Sequence, residues 1–164
     1  MPQAMLPTPP RSRRAAPSIS FRTMRTLAAE IERVRARHGY AILLDGHSIR
    51  SEVPRFFAGR LPDLNLGTAD GASCAPAFQH AAGAGARRRR GIHHASSTAA
   101  SREATSRATT AIPARGVHAL QLETAQACYM DESPPYPWDA KRAAPLATLL
   151  ERLVAALLRT RPGH

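Results

Sequence analysis

The chain has 164 residues and a net charge of +11, and 43% of its residues are hydrophobic but only 5% are aromatic. This length allows one domain with one modest core, and the absence of any run of about eighteen apolar residues excludes a membrane-spanning helix. Two cysteines cannot form a disulfide framework, so the sequence predicts a protein of the reducing cytoplasm.

The positive charge is confined to two segments. Residues 1–37 hold eight Arg and two Glu, residues 78–116 hold seven Arg and one Glu, and the remainder has a net charge of −1. Together with four consecutive arginines at 87–90, this charge suggests one alternative, a small basic protein that binds nucleic acid non-specifically. No nucleic-acid-binding motif or aromatic stacking platform accompanies the arginines, so we expect no specific nucleic-acid partner and no membrane partner.

The first third of the chain predicts a disordered segment, a helix and a strand. Residues 1–25 are rich in Pro and Arg without periodicity, which is typical of disorder. Apolar residues recur at helical spacing over residues 26–39, and Gly39 suits the position after a helix end. Residues 40–48 form an apolar run that ends in polar residues. A helix followed by a buried strand is typical of an α/β sheet with parallel strands, in which sites form at the carboxyl ends of the strands.

The rest of the chain predicts two further strands and a closing helix, separated by irregular segments. Residues 60–76 contain a short strand and a Gly-rich loop, and residues 116–123 form a strand that ends in a carboxylate. Residues 78–113 hold mainly Ala, Ser, Thr and Arg, which cannot offset their ordering entropy by burial. After a Pro-rich loop, residues 145–159 predict a helix, with a proline in its first turn. Its predicted buried stripe consists of Leu146, Leu149, Leu150, Leu153 and Leu157.

Three motif blocks follow one another along the chain. The first consists of Asp45, Gly46, His47 and Ser48. The second consists of Pro62, Asp63, Leu66, Gly67, Thr68, Gly71, Ser73 and Cys74. The third consists of Gln121, Glu123, Tyr129, Met130, Asp131 and Glu132. In this order the blocks resemble the C-terminal part of the N-formylglutamate amidohydrolase (N-formylglutamate deformylase) family, over residues 26–77 and 114–158.

The resemblance implies both a fold and a reaction. The fold is an α/β sheet with flanking helices, like that of the zinc carboxypeptidases (phosphorylase/hydrolase-like) but incomplete in this chain. The reaction is metal-dependent hydrolysis of the linear amide C–N bond of N-formyl-L-glutamate to formate and L-glutamate, a late step of histidine degradation.

The resemblance also implies roles for individual residues. His47 is the implied ligand of Zn or another divalent metal, and Asp45 is the carboxylate that orients it. Glu123 is the implied general base and acid. Arg50 and Ser48 are implied to bind the substrate, with Arg50 holding a carboxylate.

Each of these assignments competes with a structural interpretation of the same residues. A histidine at a strand end is commonly a capped structural residue, and Glu123 alone would be read as a surface carboxylate. Cys74 is expected to pack within a loop, because no base is placed beside it in the sequence to make it a nucleophile.

Two parts of the family pattern have no counterpart in this chain. The family's N-terminal part, with a Pro-His-Gly block and acidic blocks that supply the other metal ligands, is not matched, and one histidine does not make a catalytic zinc site. Residues 78–113 lack the family's Asn-Gly-Arg-Phe-Lys-Gly-Gly-x-Ile-Thr-Arg block. We therefore predict that the chain is a fragment that binds metal weakly and is inactive by itself.

A shift of the reading frame explains the second difference. When the third base of each codon is read with the first two bases of the next, residues 95–112 allow the sequence VVNGRFKGGHITRHYGN, which contains the missing block. The same shift over residues 21–25 allows a short family motif, PYHA. We therefore interpret residues 1–25 and 78–113 as out of frame, residues 26–158 as a partial amidohydrolase domain and residues 159–164 as a tail.

Overall fold

The part of the chain that the structure describes combines a small mixed sheet with three α-helices. The computed structural model describes residues 16–86, 94–96 and 111–163, with side chains over 22–84 and 111–163. None of the described helices is long and apolar enough to cross a bilayer. The helices and strands, in chain order, are α1 (Ala16–His38), β1 (Ala41–Ile49), β2 (Leu64–Gly67), α2 (Pro76–Ala86), β3 (His94–Ser96), β4 (Val117–Ala125) and α3 (Ala140–Arg159).

The sheet has the strand order β1-β4-β2-β3. β1 runs parallel to β4 over nine paired residues, as the helix–strand order predicts. β2 runs antiparallel to β4 and parallel to β3, so the sheet is mixed. β2 runs opposite to β1 because no helix lies between the two strands. Without such a helix, the chain does not return to the end of the sheet at which β1 begins.

One face of the sheet carries the apolar core. Side chains alternate between the two faces of a strand, so Leu64 and Leu66 of β2 share a face with Leu120 and Leu122 of β4. Phe78 of α2 and the predicted leucine stripe of α3 pack against this face. Leu146, Leu149, Leu153 and Leu157 are buried, and Leu150 lies partly buried beside them, which confirms the stripe.

Two segments are helical where the sequence predicts irregular chain. α1 begins at Ala16, so residues 16–25 are helical rather than disordered. This stretch has no glycine, and its only proline lies in the first turn, where a helix tolerates it. Residues 78–86 belong to α2, because Pro76 starts a helix favourably and Phe78 and Ala82, four residues apart, are both fully buried. The proposed frame shift over residues 78–113 falls mostly outside the described residues and stays a prediction.

Two helix ends can be compared with their predicted positions. α3 begins five residues before Pro145, at a cap formed by Asp139, whose carboxylate accepts hydrogen bonds from the backbone N–H groups of Lys141 and Arg142 at 2.9 and 3.1 Å. Gly39 ends α1 with φ of 82°, which confirms its predicted position. Gly116 precedes β4 with φ of 74° and passes so close to Gly39 that an added Cβ would lie 2.8 Å from the Gly39 carbonyl oxygen.

Candidate functional site

The face of the sheet opposite the core carries polar side chains at its carboxyl end. In the parallel register His47 is paired with Glu123, and Asp45 is paired with Gln121. β2 adds Asn65, which is paired with Glu123 from the other side. Directly paired residues point to the same face of a sheet, so these five side chains form one group. We call this group the polar cluster.

His47 is held by the residue two positions before it on the same strand. Its Nε2 lies 2.8 Å from Oδ1 of Asp45, and both side chains are a little under half exposed, at 44% and 45%. Because the carboxylate engages Nε2, Nδ1 is the ring nitrogen left to face another group. This carboxylate–histidine pair is the arrangement that orients histidine ligands in metal sites.

Glu123 has the surroundings of a proton-transfer group. Its Oε1 is buried and finds no hydrogen-bond partner among the described residues. Burial raises the pKa of the Glu123 carboxyl, the neighbouring His47 lowers it and the negative charge of Asp45 raises it, and the net effect lies above the usual value. A partly buried carboxyl with a raised pKa and an unpaired oxygen takes up a proton more readily than an exposed glutamate, as a proton-transfer group must.

The two amide side chains of the polar cluster are more deeply buried than its charged groups. Asn65 is 2% exposed and Gln121 is 5% exposed. The Asn65 Nδ2 donates to the carbonyl oxygens of Pro62 and Glu123 at 2.8 and 3.4 Å. Within the part of the chain that the structure describes, its Oδ1 and both Nε2 and Oε1 of Gln121 have no hydrogen-bond partner. Buried polar atoms without partners are uncommon in proteins and are concentrated at functional sites, so the polar cluster is the candidate site.

Asn65 was not predicted to be a site residue, although its position in the sequence indicates one. An asparagine between two leucines in a four-residue strand is a polar residue in an otherwise buried element. Such a residue predicts a side chain on the face opposite the leucines, which is where Asn65 lies.

Ser48 and Arg50 are not brought together with the polar cluster. Ser48 points to the core face of the sheet, where its Oγ accepts a hydrogen bond of 2.8 Å from the Tyr129 hydroxyl. Arg50 lies exposed beyond the end of β1 and donates from Nη2 to the backbone carbonyl oxygen of Glu132 at 3.3 Å. Their predicted substrate-binding roles stay predictions.

The described residues do not by themselves fit a catalytic metal. Within residues 16–86, 94–96 and 111–163, no group of three or more His, Cys, Asp or Glu side chains is placed to hold an ion. A catalytic zinc takes three protein ligands. Burial raises the pKa of Cys74 to about 11 and that of Cys128 to about 12, and a neutral thiol is a poor nucleophile.

A cavity of about 560 Å³ opens on the core side of the same strand end. It lies between β1 and α3, and its walls are mainly alanine, leucine and aromatic side chains, including Tyr129 and Trp138. His47 lies at its margin, since β1 is at the edge of the described sheet. The apolar walls offer little to a charged substrate, so we assign the chemistry to the polar cluster and not to this cavity.

Comparison with known proteins identifies the family. The family model described as N-formylglutamate amidohydrolase matches residues 24–130. The chain belongs to this family. It is 41% identical over 140 residues to an N-formylglutamate deformylase of Pseudomonas putida, and 42% identical over 134 residues to one of Pseudomonas aeruginosa.

The matches cover most of this chain but only part of the family members. They span 81% and 82% of this chain and 49% and 50% of the two deformylases, so the chain spans about half the length of the curated relatives it matches. A crystal structure of N-formylglutamate amidohydrolase from Ralstonia eutropha JMP134 superposes with a TM-score of 0.65. That match has 24% identity, covers 83% of this chain and 49% of the solved chain, and shows the shared fold.

Proposed function

We propose that the chain carries one half of an amidohydrolase active site that acts on N-formyl-L-glutamate. The observation that carries this proposal is the pairing of His47 with Glu123 on one sheet face, where Glu123 has a raised pKa and an unpaired oxygen. The names of the Pseudomonas relatives supply the substrate. The reaction belongs to histidine degradation in the cytoplasm, and the two free cysteines fit a reducing compartment.

Glu123 is the proposed group for proton transfer. In the hydrolysis, a water oxygen bonds to the formyl carbon and the C–N bond breaks, so one water proton has to move to the leaving amine nitrogen. The unpaired Oε1 of Glu123 accepts that proton and returns it to the nitrogen. Burial raises the pKa of the Glu123 carboxyl, which makes it a stronger proton acceptor than an exposed glutamate.

His47 is the proposed metal ligand of this half, with Asp45 fixing the orientation of its ring through the 2.8 Å contact to Nε2. The metal would be zinc or another divalent ion, and within the described residues no group of three or more ligating side chains is placed to hold it. Arg50 and Ser48 stay proposed substrate-binding residues. In a complete molecule, we expect the mixed sheet to extend into one like that of the zinc carboxypeptidases.

It follows that this chain by itself should not hydrolyse N-formyl-L-glutamate. A paired assay of formate release tests this, comparing the chain as given with a repaired protein, both loaded with zinc. In the repaired protein the reading frame over residues 78–113 is restored, and the uncovered half of the P. putida deformylase is joined to the chain. We expect hydrolysis of N-formyl-L-glutamate by the repaired protein alone.

Two results would contradict the proposal in different ways. Turnover by the chain as given, lost in His47→Ala, would mean that other residues of this chain complete the site. No turnover by a folded repaired protein would instead count against the proposed substrate and reaction.

A further inference from the structure

The carboxylate of Glu132 joins the ends of the two strands that carry His47 and Glu123. We propose that Glu132 is a positioning residue for the hydrolysis, because this link sets how His47 and Glu123 lie relative to each other. The proposal rests on the proposed function for the reaction that this placement serves, but not for the contacts that produce the placement.

The Glu132 carboxylate accepts three hydrogen bonds from two strand ends. Its Oε1 accepts from the backbone N–H of Ser51 at 2.6 Å and from that of Ala127 at 3.2 Å. Its Oε2 accepts from the Ser51 hydroxyl at 2.6 Å. Ser51 follows β1 and Ala127 follows β4, so one oxygen atom of Glu132 connects the two strand ends directly.

The link lies at the point where the pairing of the two strands stops. The last pair that β1 and β4 form is Ile49 with Ala125, and the same register would pair Ser51 with Ala127 two positions later. There, however, the chain after β4 forms a 3-10 turn instead of a strand. Glu132 therefore connects the strands where their own backbone hydrogen bonds end.

The segment that carries Glu132 is itself held in place. The Tyr129 hydroxyl donates to the Ser48 Oγ at 2.8 Å, which gives this segment a second contact with β1. The Asp139 N–H donates to the Tyr129 carbonyl oxygen at 2.9 Å, just before α3. A carboxylate on a segment with these contacts can hold two strand ends at a fixed separation, as support of a site from neighbouring residues requires.

Glu132 behaves as a fixed anion, in contrast to Glu123. Burial raises the pKa of the Glu132 carboxyl, but the hydrogen bonds from Ser51 and Ala127 and the positive charge of Arg50 lower it, and the net effect lies below the usual value. The carboxylate therefore stays charged near neutral pH and keeps accepting its hydrogen bonds. This is the behaviour of a group that holds other residues and does not exchange protons.

Loss of the link should affect the chemical step more than substrate binding. A displacement of about 1 Å at a reacting group lowers a rate by about 10²-fold, and both the proton transfer at Glu123 and the metal ligation by His47 depend on their placement. Arg50, a proposed substrate-binding residue, donates to the backbone carbonyl oxygen of Glu132, which a change of the Glu132 side chain leaves in place. We therefore expect an effect on kcat and little effect on KM.

Two substitutions separate the length of the Glu132 side chain from its charge. Glu132→Asp keeps the charge but is one methylene shorter, too short to reach both strand ends without moving them. Glu132→Gln loses the charge but keeps the length, an oxygen for the two N–H groups and an amide that can donate to the Ser51 hydroxyl.

The first measurement is the activity of the repaired protein loaded with zinc. Glu132→Asp should lower kcat by about 10- to 100-fold and change KM by less than about three-fold. Glu132→Gln should keep kcat within about three-fold, because neutral hydrogen bonds of the same geometry replace the charged ones. Ser51→Ala, a milder change that removes one of the three hydrogen bonds, should lower kcat by about two- to ten-fold and decides the outcome if Glu132→Asp does not fold.

The second measurement uses the unrepaired chain and needs no turnover. In Glu132→Asp, the NMR signals of the His47 ring and the Glu123 carboxyl should shift. The Ser51 and Ala127 amides should exchange at least about ten-fold faster, because each loses a hydrogen bond to a charged group. Glu132→Gln should resemble the unmodified chain in both respects.

The matched control is Glu151→Asp, which makes the same shortening at an exposed position of α3 and should leave the NMR signals, the exchange rates and kcat unchanged. Circular dichroism checks that each variant folds.

Three results separate the proposal from its alternatives. Unchanged kcat, or unchanged His47 and Glu123 signals, in folded Glu132→Asp overturns the proposal. Glu132→Gln losing as much kcat as Glu132→Asp also overturns it, since the charge itself would then act in the reaction. The expected signal changes together with no turnover by the unmodified repaired protein leave the placement by Glu132 intact and count against the proposed function.

Discussion

His118 is a titratable side chain enclosed by the apolar core. It is 2% exposed, its ring centroid lies 4.8 Å from that of Phe78, and its Nδ1 accepts a hydrogen bond of 3.3 Å from the Ala75 N–H, just before α2. Burial lowers the pKa of this histidine below its usual 6.5. The native state therefore favours the neutral ring, which can accept the Ala75 hydrogen bond, while the unfolded chain takes up a proton at the usual pH.

This difference predicts how stability depends on pH. The stabilisation is fully present above about pH 6.5 and is lost as the pH falls through that value towards the lower pKa of the folded state. In urea unfolding between pH 7.5 and 5, His118→Gln should be less stable at neutral pH and should lose less stability on acidification. His80→Gln, which makes the same chemical change at an exposed position of α2, is the control. An unchanged slope in His118→Gln would contradict the prediction.

The close approach of Gly116 to Gly39 leads to a second prediction at the scale of single residues. Gly116 and Gly59 both have positive φ, of 74° and 76°, but only at Gly116 would an added Cβ meet backbone, the Gly39 carbonyl oxygen at 2.8 Å. Gly59→Ala should cost about 1–2 kcal/mol of unfolding free energy, which is the cost of a left-handed backbone for a residue with a Cβ. Gly116→Ala should cost clearly more, because its Cβ also forces α1 and β4 apart. Equal losses in chemical denaturation would show that the contact relaxes freely.

At the scale of elements, α3 has a buried side and an exposed side. Leu153 is fully buried in the core, whereas its neighbour Val154 is 41% exposed. Leu153→Ala should therefore cost about 2–5 kcal/mol, as truncations of buried leucines do. Val154→Ala should change the unfolding free energy by less than about 0.5 kcal/mol, as is usual for surface substitutions. Denaturation of both variants measures this, and similar losses would mean that α3 is oriented differently.

Element type was predictable from sequence where hydrophobic periodicity is strong. The second half of α1, β1, β2, β4 and the leucine stripe of α3 follow from apolar spacing. α2 was missed because its face consists mainly of alanines around Phe78, so composition suggested disorder although the helix buries both Phe78 and Ala82. The start of α1 was missed because its arginine and proline content suggested disorder, although this segment has no helix-breaking residue beyond its first turn.

The candidate site was predictable only in part. The placement of Asp45, His47 and Glu123 on one face depends on the register between two strands that are far apart in sequence. The motif blocks indicated that these residues belong to one site, but they did not predict the register. Asn65 joins the group through an antiparallel strand whose direction the sequence did not indicate. Ser48, next to His47 in sequence, faces the other side because successive residues of a strand alternate.

At the scale of the whole molecule, the polar cluster lies at the edge of the described sheet, and the described residues place Glu123 beside the Asp45–His47 pair without a complete metal site. This arrangement agrees with a chain that spans about half the length of its deformylase relatives. The central claim is that Glu123 transfers the proton in a site that becomes active when the other half is present.

The most direct test of this claim is kcat/KM for N-formyl-L-glutamate in the repaired protein with and without Glu123→Gln. An amide has nearly the same shape as the carboxyl but cannot take up the proton, so we predict a loss of about 10²- to 10⁴-fold. Glu52→Gln makes the same chemical change at an exposed position and should leave kcat/KM unchanged. An active repaired protein in which Glu123→Gln retains kcat/KM would contradict the account.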